Sequence, residues 1–149
     1  MKRIFLFALI PFVFCCVSCS QQKKITLPFS AAEVEEVEVY QFSVPAQAEQ
    51  KRVTAREDIQ NIVALLTTVA VAENPAEQTA GGTTTSFRFR LSSGSDYEII
   101  YVSYGVKNGE LKSPHAFHYR TQADIGNIWN QLDYEAVAVE AVELPAYGG

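Results

Sequence analysis

The apolar residues between Val53 and Val69 recur at helical spacing and predict an amphipathic helix at the centre of the domain. Thr54 is placed to cap this helix through its hydroxyl, with Glu57 three residues later as the acidic partner. The adjoining strands are expected to cover its apolar stripe. That stripe consists of Ile59, Ile62, Val63, Leu66 and Val69.

Valine and aromatic residues alternate with glutamate from Val34 to Val44, which is the period-two pattern of a β-strand. Four glutamates lie between Glu33 and Glu38. They alternate with valine instead of glycine and turn residues, so a solvated strand face is expected there and not a calcium site. Residues 45–50 and 72–84 are predicted to be loops, because they are rich in proline, glycine and small polar residues.

Residues 86–119 are predicted to form an antiparallel β-meander. Leu91 is expected to pair with Tyr97 across the first turn. The dipeptide Asn108-Gly109 predicts a type I′ hairpin, which places Val102 opposite His115. One face then becomes core, with Phe87, Phe89, Leu91, Tyr97, Ile99 and Tyr101. The other face carries Arg88, Arg90, Glu98, Ile100, Val102 and His115.

The end of the chain predicts one more helix and a final strand. Thr121 is placed to cap a helix over 122–132, and its apolar stripe consists of Ile125, Ile128, Trp129 and Leu132. Residues 135–144 are predicted to form a strand. Pro114 is compatible only with an edge strand or a bulge, so the last strand of the meander is expected at an edge.

The N-terminus has the pattern of an export signal. Lys2 and Arg3 precede an apolar run from Ile4 to Val17. As a helix this run spans about 21 Å, which is short of the roughly 30 Å hydrocarbon core of a bilayer. The sequence Cys16-Val17-Ser18-Cys19 resembles the lipobox of bacterial lipoproteins, with cysteine at 16 where leucine is usual. That resemblance implies lipidation of Cys19; an ordinary secretory signal or an uncleaved anchor is the alternative.

Cleavage before Cys19 would change both the cysteine count and the charge. All three cysteines lie at or before that position, so disulfides and thiol catalysis are not expected in the mature domain. The mature net charge becomes −7, since 10 of the 12 basic residues and all 17 acidic residues remain. An acidic domain without a basic run is a poor candidate for nucleic acid or anionic lipid headgroups. Membrane attachment is therefore expected only through the lipid.

The order of these elements resembles a family. An opening Ile25-Thr26-Leu27-Pro28, a valine-rich strand, the helix that begins near Thr54, a meander and a second helix follow the leader. This order is similar to small uncharacterised lipoprotein domains of Gram-positive gut bacteria. The resemblance implies an α+β domain displayed outside the cell, and it implies no activity.

The expected architecture is an antiparallel β-meander sheet with two amphipathic helices packed on one face. The expected boundaries are a signal peptide at 1–18, a tether at 19–24, a single domain at 25–144 and a tail at 145–149. The protein is predicted to be lipid-anchored on the extracytoplasmic side of the cell membrane. No cofactor and no metal site are predicted, since His115 and His118 would point to opposite faces of a strand.

A non-catalytic binding module is the predicted function, with an envelope protein or peptide as the possible partner. Its candidate binding face is an exposed apolar cluster rimmed by charge. The second helix, with Trp129, is the alternative cover for this cluster. A cell-envelope hydrolase that uses His115 with nearby acidic residues is the alternative function. The candidate face consists of Arg88, Ile100, Val102, His115 and Phe117.

Overall fold

The computed structural model describes residues 22–73, 81–114 and 116–145, and within them eight strands and two α-helices are found. The strands are β1 Val34–Phe42, β2 Glu49–Val53, β3 Val71–Ala72, β4 Thr83–Leu91, β5 Asp96–Gly105, β6 Asn108–Ser113, β7 Phe117–Thr121 and β8 Val137–Ala138. The helices are α1 Arg56–Thr68 and α2 Ile128–Gln131. Short 3₁₀ turns cover Ala31–Glu33, Pro45–Gln47 and Ala141–Glu143.

All strand pairs are antiparallel and form one sheet in the order β3-β7-β6-β5-β4-β1-β2-β8. The predicted α+β class and the antiparallel meander are confirmed in this form. The sheet is wider than the meander alone, because β1 and β2 extend it on one side. Lys23 also joins it through paired backbone hydrogen bonds with Val71, within the segment predicted to be a tether.

The predicted core face of the meander is confirmed. Phe87, Phe89, Ile99 and Tyr101 are buried, and Leu91 and Tyr97 pack against them. The apolar stripes of both helices belong to the same cluster. Its helical members are Ile59, Ile62, Leu66, Ile128 and Trp129, and Ile125 and Leu132 flank the second helix.

Helix α1 begins later than predicted, and the predicted Thr54 cap is wrong. The N-cap residue is Ala55, and no side chain of the cap position bonds to the helix. The hydroxyl of Tyr134 lies there instead, 3.2 Å from the amide nitrogen of Ala55 and 2.7 Å from the Asp58 carboxylate. A residue distant in sequence therefore satisfies a helix-terminal amide, and no local pattern reveals it.

The predicted hairpin at Asn108-Gly109 is also wrong. The turn residues are Val106 and Lys107, and Lys107 is the one described non-glycine residue with positive φ, at 53°. Gly105 before it has φ 146°, which only glycine adopts easily. A Cβ on Gly109 would meet the Tyr101 ring at 2.5 Å, so this glycine permits close packing rather than the turn.

The shift of the turn changes the register of everything after it. Val102 pairs with Glu110, not with His115, and Tyr101 pairs with Leu111. On the other side of the meander, Phe89 instead of Leu91 pairs with Tyr97. That shift is two residues, so it leaves the faces unchanged. Pro114 lies in the turn between β6 and β7, and β6 is an interior strand, so the expected edge is wrong.

Helix α2 is one turn long and not the eleven residues predicted over 122–132. Thr121 accepts the Ala123 amide and donates to the Ala70 carbonyl, so it does not cap a helix. Asp124 accepts the amide of Asn127 at 3.2 Å, and Gly126 disfavours a helical start. The apolar stripe is nevertheless buried as predicted.

Two segments near the sheet edge were misassigned from sequence. Strand β2 occupies residues predicted as a loop and as the entry to the helix. The final strand is only Val137–Ala138, and it pairs with Glu49 and Gln50 of β2. Both strands are short and largely exposed, so they lack a strong alternating pattern.

Candidate functional site

A row of alternating charges crosses four strands on the sheet face opposite Val37 and Phe87. Arg52, Glu38, Arg88 and Glu98 are successive cross-strand partners on β2, β1, β4 and β5. We call these four residues the charge ladder. Opposite charges directly across antiparallel strands stabilise the pairing. Arg90 lies beside the ladder, with its guanidinium on Glu38 at 3.0 Å and on Asp96.

Glu38 is the buried centre of this ladder, with 3% exposure, so the expected solvated glutamate face is wrong at this position. Its carboxylate accepts hydrogen bonds from Tyr40 at 2.7 Å, Arg88 at 3.2 Å and Arg90 at 3.0 Å. Burial raises the pKa of Glu38, but the bonds from Tyr40 and Arg90 outweigh it and hold the pKa below its ordinary value. The carboxylate is therefore kept charged.

Tyr40 links the ladder to the apolar part of the same face. Its hydroxyl also accepts bonds from Arg88 at 2.8 Å and Gln50 at 3.0 Å. Burial and the adjacent Glu38 carboxylate raise the pKa of Tyr40, so it stays neutral. Glu38, Tyr40 and Arg88 are thus joined in one hydrogen-bond network that supports the pairing of β1 with β4.

The predicted binding face is only partly assembled. Arg88, Ile100 and Val102 lie on one face, as predicted. Phe117 lies on the opposite face, because it pairs with Ser113 and packs against the main core. Its misplacement follows from the wrong hairpin register. His115 lies outside the described residues.

Ile100 and Val102 are not exposed, contrary to the prediction. Their exposed fractions are 1% and 6%, yet neither belongs to the core cluster that contains Trp129. The alternative prediction, in which the second helix and Trp129 cover these two residues, is therefore not supported. Ser86 lies between Tyr40 and Ile100 in the pairing, and its hydroxyl is buried without a hydrogen-bond partner. The sheet face that carries the charge ladder therefore also contains a small second core.

An open groove of about 490 Å³ lies at one corner of the sheet. Half-buried rings of Tyr97, Phe117 and Tyr119 line it, and the extended segment 23–28 forms the opposite wall. The rings of Phe117 and Tyr119 are parallel, with centroids 5.4 Å apart. Lys23 lies 5.0 Å above the Tyr119 ring. We call this the aromatic groove.

A second groove of about 420 Å³ lies beside β3, at the other end of β7. Its lining combines the small apolar residues of 70–72 with polar and charged side chains, namely Gln22, Glu73, Lys107, Asn108, Arg120 and Gln122. Glu73 is paired with Lys23, which leaves Lys107 and Arg120 as its unpaired charges among the described residues. We call this the basic groove. Neither groove was predicted as a site: the sequence analysis assigned Tyr97 to the core face and Phe117 to the candidate binding face. Segment 23–28 forms a wall only through tertiary packing, so no local signal identified the grooves.

Three acidic residues of β5 and β6, Asp96, Glu98 and Glu110, have basic or histidine partners. Glu98 pairs with Arg88 at 2.8 Å, and Asp96 pairs with Arg90. His118 lies 3.2 Å from the buried carboxylate of Glu110, which also accepts the Tyr104 hydroxyl. Across residues 22–73, 81–114 and 116–145, no group of three potential metal ligands is found. In the same ranges, no helix has the length and apolarity needed to cross a bilayer.

Comparisons with protein-family models, with curated proteins and with solved structures find no match for this chain.

Proposed function

We propose that this protein is a non-catalytic binding module, held on the extracytoplasmic side of the cell membrane by a lipid on Cys19. The lipobox-like leader supports the anchor. Cys19 itself lies outside the described residues. The aromatic groove supports binding, and it is the observation that carries this proposal. The partner is a protein or peptide of the cell envelope.

We also propose that both helices pack on the same face of the sheet, opposite the face that carries the charge ladder. Lys51, on the core side of β2, donates to the carbonyls of Trp129 at 2.9 Å and Leu132 at 2.8 Å. Gly126 approaches Thr85 and Tyr101 closely. These contacts support packing of α2 on the face that α1 also covers. The corner of that face near Phe117 is left for a ligand.

Folding alone does not require the aromatic groove to remain open. Its uncovered rings therefore offer an apolar surface that a peptide can bury. Large aromatic side chains bury most of their area in a well-packed core. Here Tyr97, Phe117 and Tyr119 keep one side open beside exposed Thr26 and Pro28. Binding sites generally combine such apolar walls with a few polar groups, which Lys24 and the tyrosine hydroxyls supply.

Blocking the groove with a bulky exposed side chain tests this function. Ala116 is exposed and lines the groove, so Ala116→Arg should fill it without removing a core contact. Ala136→Arg is the matched control, because Ala136 is exposed outside the groove. Crosslinking in cells should capture the same envelope protein with wild type and Ala136→Arg but not with Ala116→Arg. Equal capture by all three would reject the groove as the binding site.

The anchor is tested separately by metabolic labelling. A palmitate analogue should label the wild-type protein, and Cys19→Ala should remain unlabelled. A mass spectrum of the mature N-terminus should show a lipidated cysteine there. Equal labelling of both proteins would reject lipidation at Cys19.

A further inference from the structure

The positive charge of the domain is concentrated at one end of the sheet. Most basic residues are engaged within the protein, by carboxylates, by carbonyl oxygens or by other groups. In the described ranges, Lys24, Lys107 and Arg120 have neither an ion pair nor a side-chain hydrogen bond, and all three are exposed and line the two grooves. The engaged basic residues are Lys23, Lys51, Arg52, Arg56, Arg88, Arg90 and Lys112.

Within residues 22–73, 81–114 and 116–145, the acidic residues near this end form no ion pair with Lys24, Lys107 or Arg120. Glu73 is paired with Lys23. Glu110 lies opposite Arg120 in the pairing of β6 and β7, but its buried carboxylate contacts Tyr104 and His118 and forms no ion pair with Arg120. Asp124 accepts the Asn127 amide. Most of the unpaired acids lie instead around β8, at the other end of an eight-strand sheet that spans about 30 Å. They are Glu49, Asp133, Glu135, Glu140 and Glu143, all exposed.

The chain leaves the domain at the positive end. Gln22 lines the basic groove together with Lys107 and Arg120. Only two residues, Ser20 and Gln21, separate it from Cys19, so the three Cα–Cα steps between them span at most about 10 Å. A lipid on Cys19 would therefore hold the basic groove within reach of the headgroups, while the acidic β8 end lies farther away.

The negative net charge made anionic headgroups a poor expected partner for the domain as a whole, but the local distribution of charge differs from the net value. We propose that the basic groove docks on the phosphate layer of an anionic bilayer, with Lys107 and Arg120 as the contacting cations. This inference rests on the anchor at Cys19 in the proposed function. Basic side chains near an anionic surface are attracted within about a Debye length, so the short tether and the charges act together. Docking through these two cations would turn the basic groove toward the bilayer and leave the aromatic groove, at the other end of β7, accessible to a partner.

Two exposed valines provide probes for this orientation. Val106 precedes Lys107 in the β5–β6 turn and is 94% exposed, whereas Val142 follows β8 and is 85% exposed. In the lipidated mature protein Cys19 is blocked, so Val106→Cys or Val142→Cys supplies the single free thiol for a fluorophore. In vesicles with about 30 mol% phosphatidylglycerol, a headgroup-attached quencher should quench the probe at 106 at least about twice as strongly as the probe at 142.

The dependence of the quenching on charge distinguishes electrostatic docking from the proximity that the short tether alone imposes. Lys107→Gln with Arg120→Gln should remove the difference, as should phosphatidylcholine vesicles or about 0.5 M salt. Gln47→Glu with Gln131→Glu is the matched control: it lowers the net charge equally at exposed sites outside the basic groove and should preserve the difference. Equal quenching at both positions in anionic vesicles, or quenching that ignores the Lys107 and Arg120 changes, would overturn the proposal. Failure of the anchor gives a separate result, because Cys19 would then take the label.

Discussion

The hydroxyl of Tyr40 lies 2.7 Å from the carboxylate of Glu38, two residues earlier on the same face of β1. The same hydroxyl accepts a bond from Arg88, so it connects the anionic and cationic members of the charge ladder. Glu38 is almost fully buried, and its charge depends on these donors. This pair shows how a sheet face that looks solvated in sequence becomes a buried polar network.

Replacing Tyr40 by phenylalanine should destabilise the protein by about 2 kcal/mol at neutral pH, because a charged acceptor loses a donor in a buried setting. The effect should appear as a lower urea midpoint with an unchanged m-value. An unchanged midpoint would show that Arg88 and Arg90 alone satisfy the carboxylate.

The pH dependence of Tyr40→Phe follows from the direction of the Glu38 shift. A pKa lower in the folded than in the unfolded state contributes stability above the unfolded value, near 4.5, and this stability is lost as pH falls through the folded value. The penalty in Tyr40→Phe should therefore shrink when unfolding is measured in increasingly acidic buffer below about pH 4. A penalty that grows with acidity would contradict this assignment.

Ser86→Ala should be neutral or stabilising by up to about 1 kcal/mol, because it removes a buried hydroxyl that has no partner. Ser113→Ala is the control. Ser113 is also buried, but its hydroxyl donates to the Glu98 carbonyl at 2.6 Å. Loss of this hydrogen bond should lower the free energy of unfolding by about 1 kcal/mol. Denaturant unfolding of both variants measures the contrast, and a destabilised Ser86→Ala would reveal a hidden partner.

Val102→Asp should unfold or strongly destabilise the domain, by about 3 kcal/mol or more, because an unpaired charge would replace a buried side chain. The exposed Val102 expected from the sequence would instead leave this variant folded. Circular dichroism and thermal unfolding decide between the two. A folded, stable variant would restore the predicted exposed patch.

Leu66→Ala should cost about 2–5 kcal/mol, since Leu66 is fully buried on α1. Val106→Ala, at 94% exposure, should change the free energy of unfolding by less than about 0.5 kcal/mol. A similar effect of the two substitutions would show that the buried face of the helix is assigned wrongly.

The sequence alone determined the features that depend on periodicity. The stripe of Ile59, Ile62 and Leu66 and the alternation of Phe87, Phe89 and Ile99 correctly identified the main core, because burial repeats with the geometry of the element. The α+β class followed from the same patterns. These features survive errors in register, provided that the strands shift by an even number of residues.

Tertiary structure decided what depends on contacts between distant segments. The turn moved by two residues, from Asn108-Gly109 to Val106–Lys107, with Gly109 packed against the Tyr101 ring. A β-bulge between Ser103 and Gly105 makes the total register shift odd, and this sent Phe117 to the other face. Composition gives the net charge of the domain, but it does not show which basic residues are neutralised by acidic partners. Arg88 meets Glu38 only through strand pairing, whereas Lys107 and Arg120 remain unpaired in the described part of the chain. Electrostatic pairing acts over a few ångströms of space, and sequence separation does not report that distance.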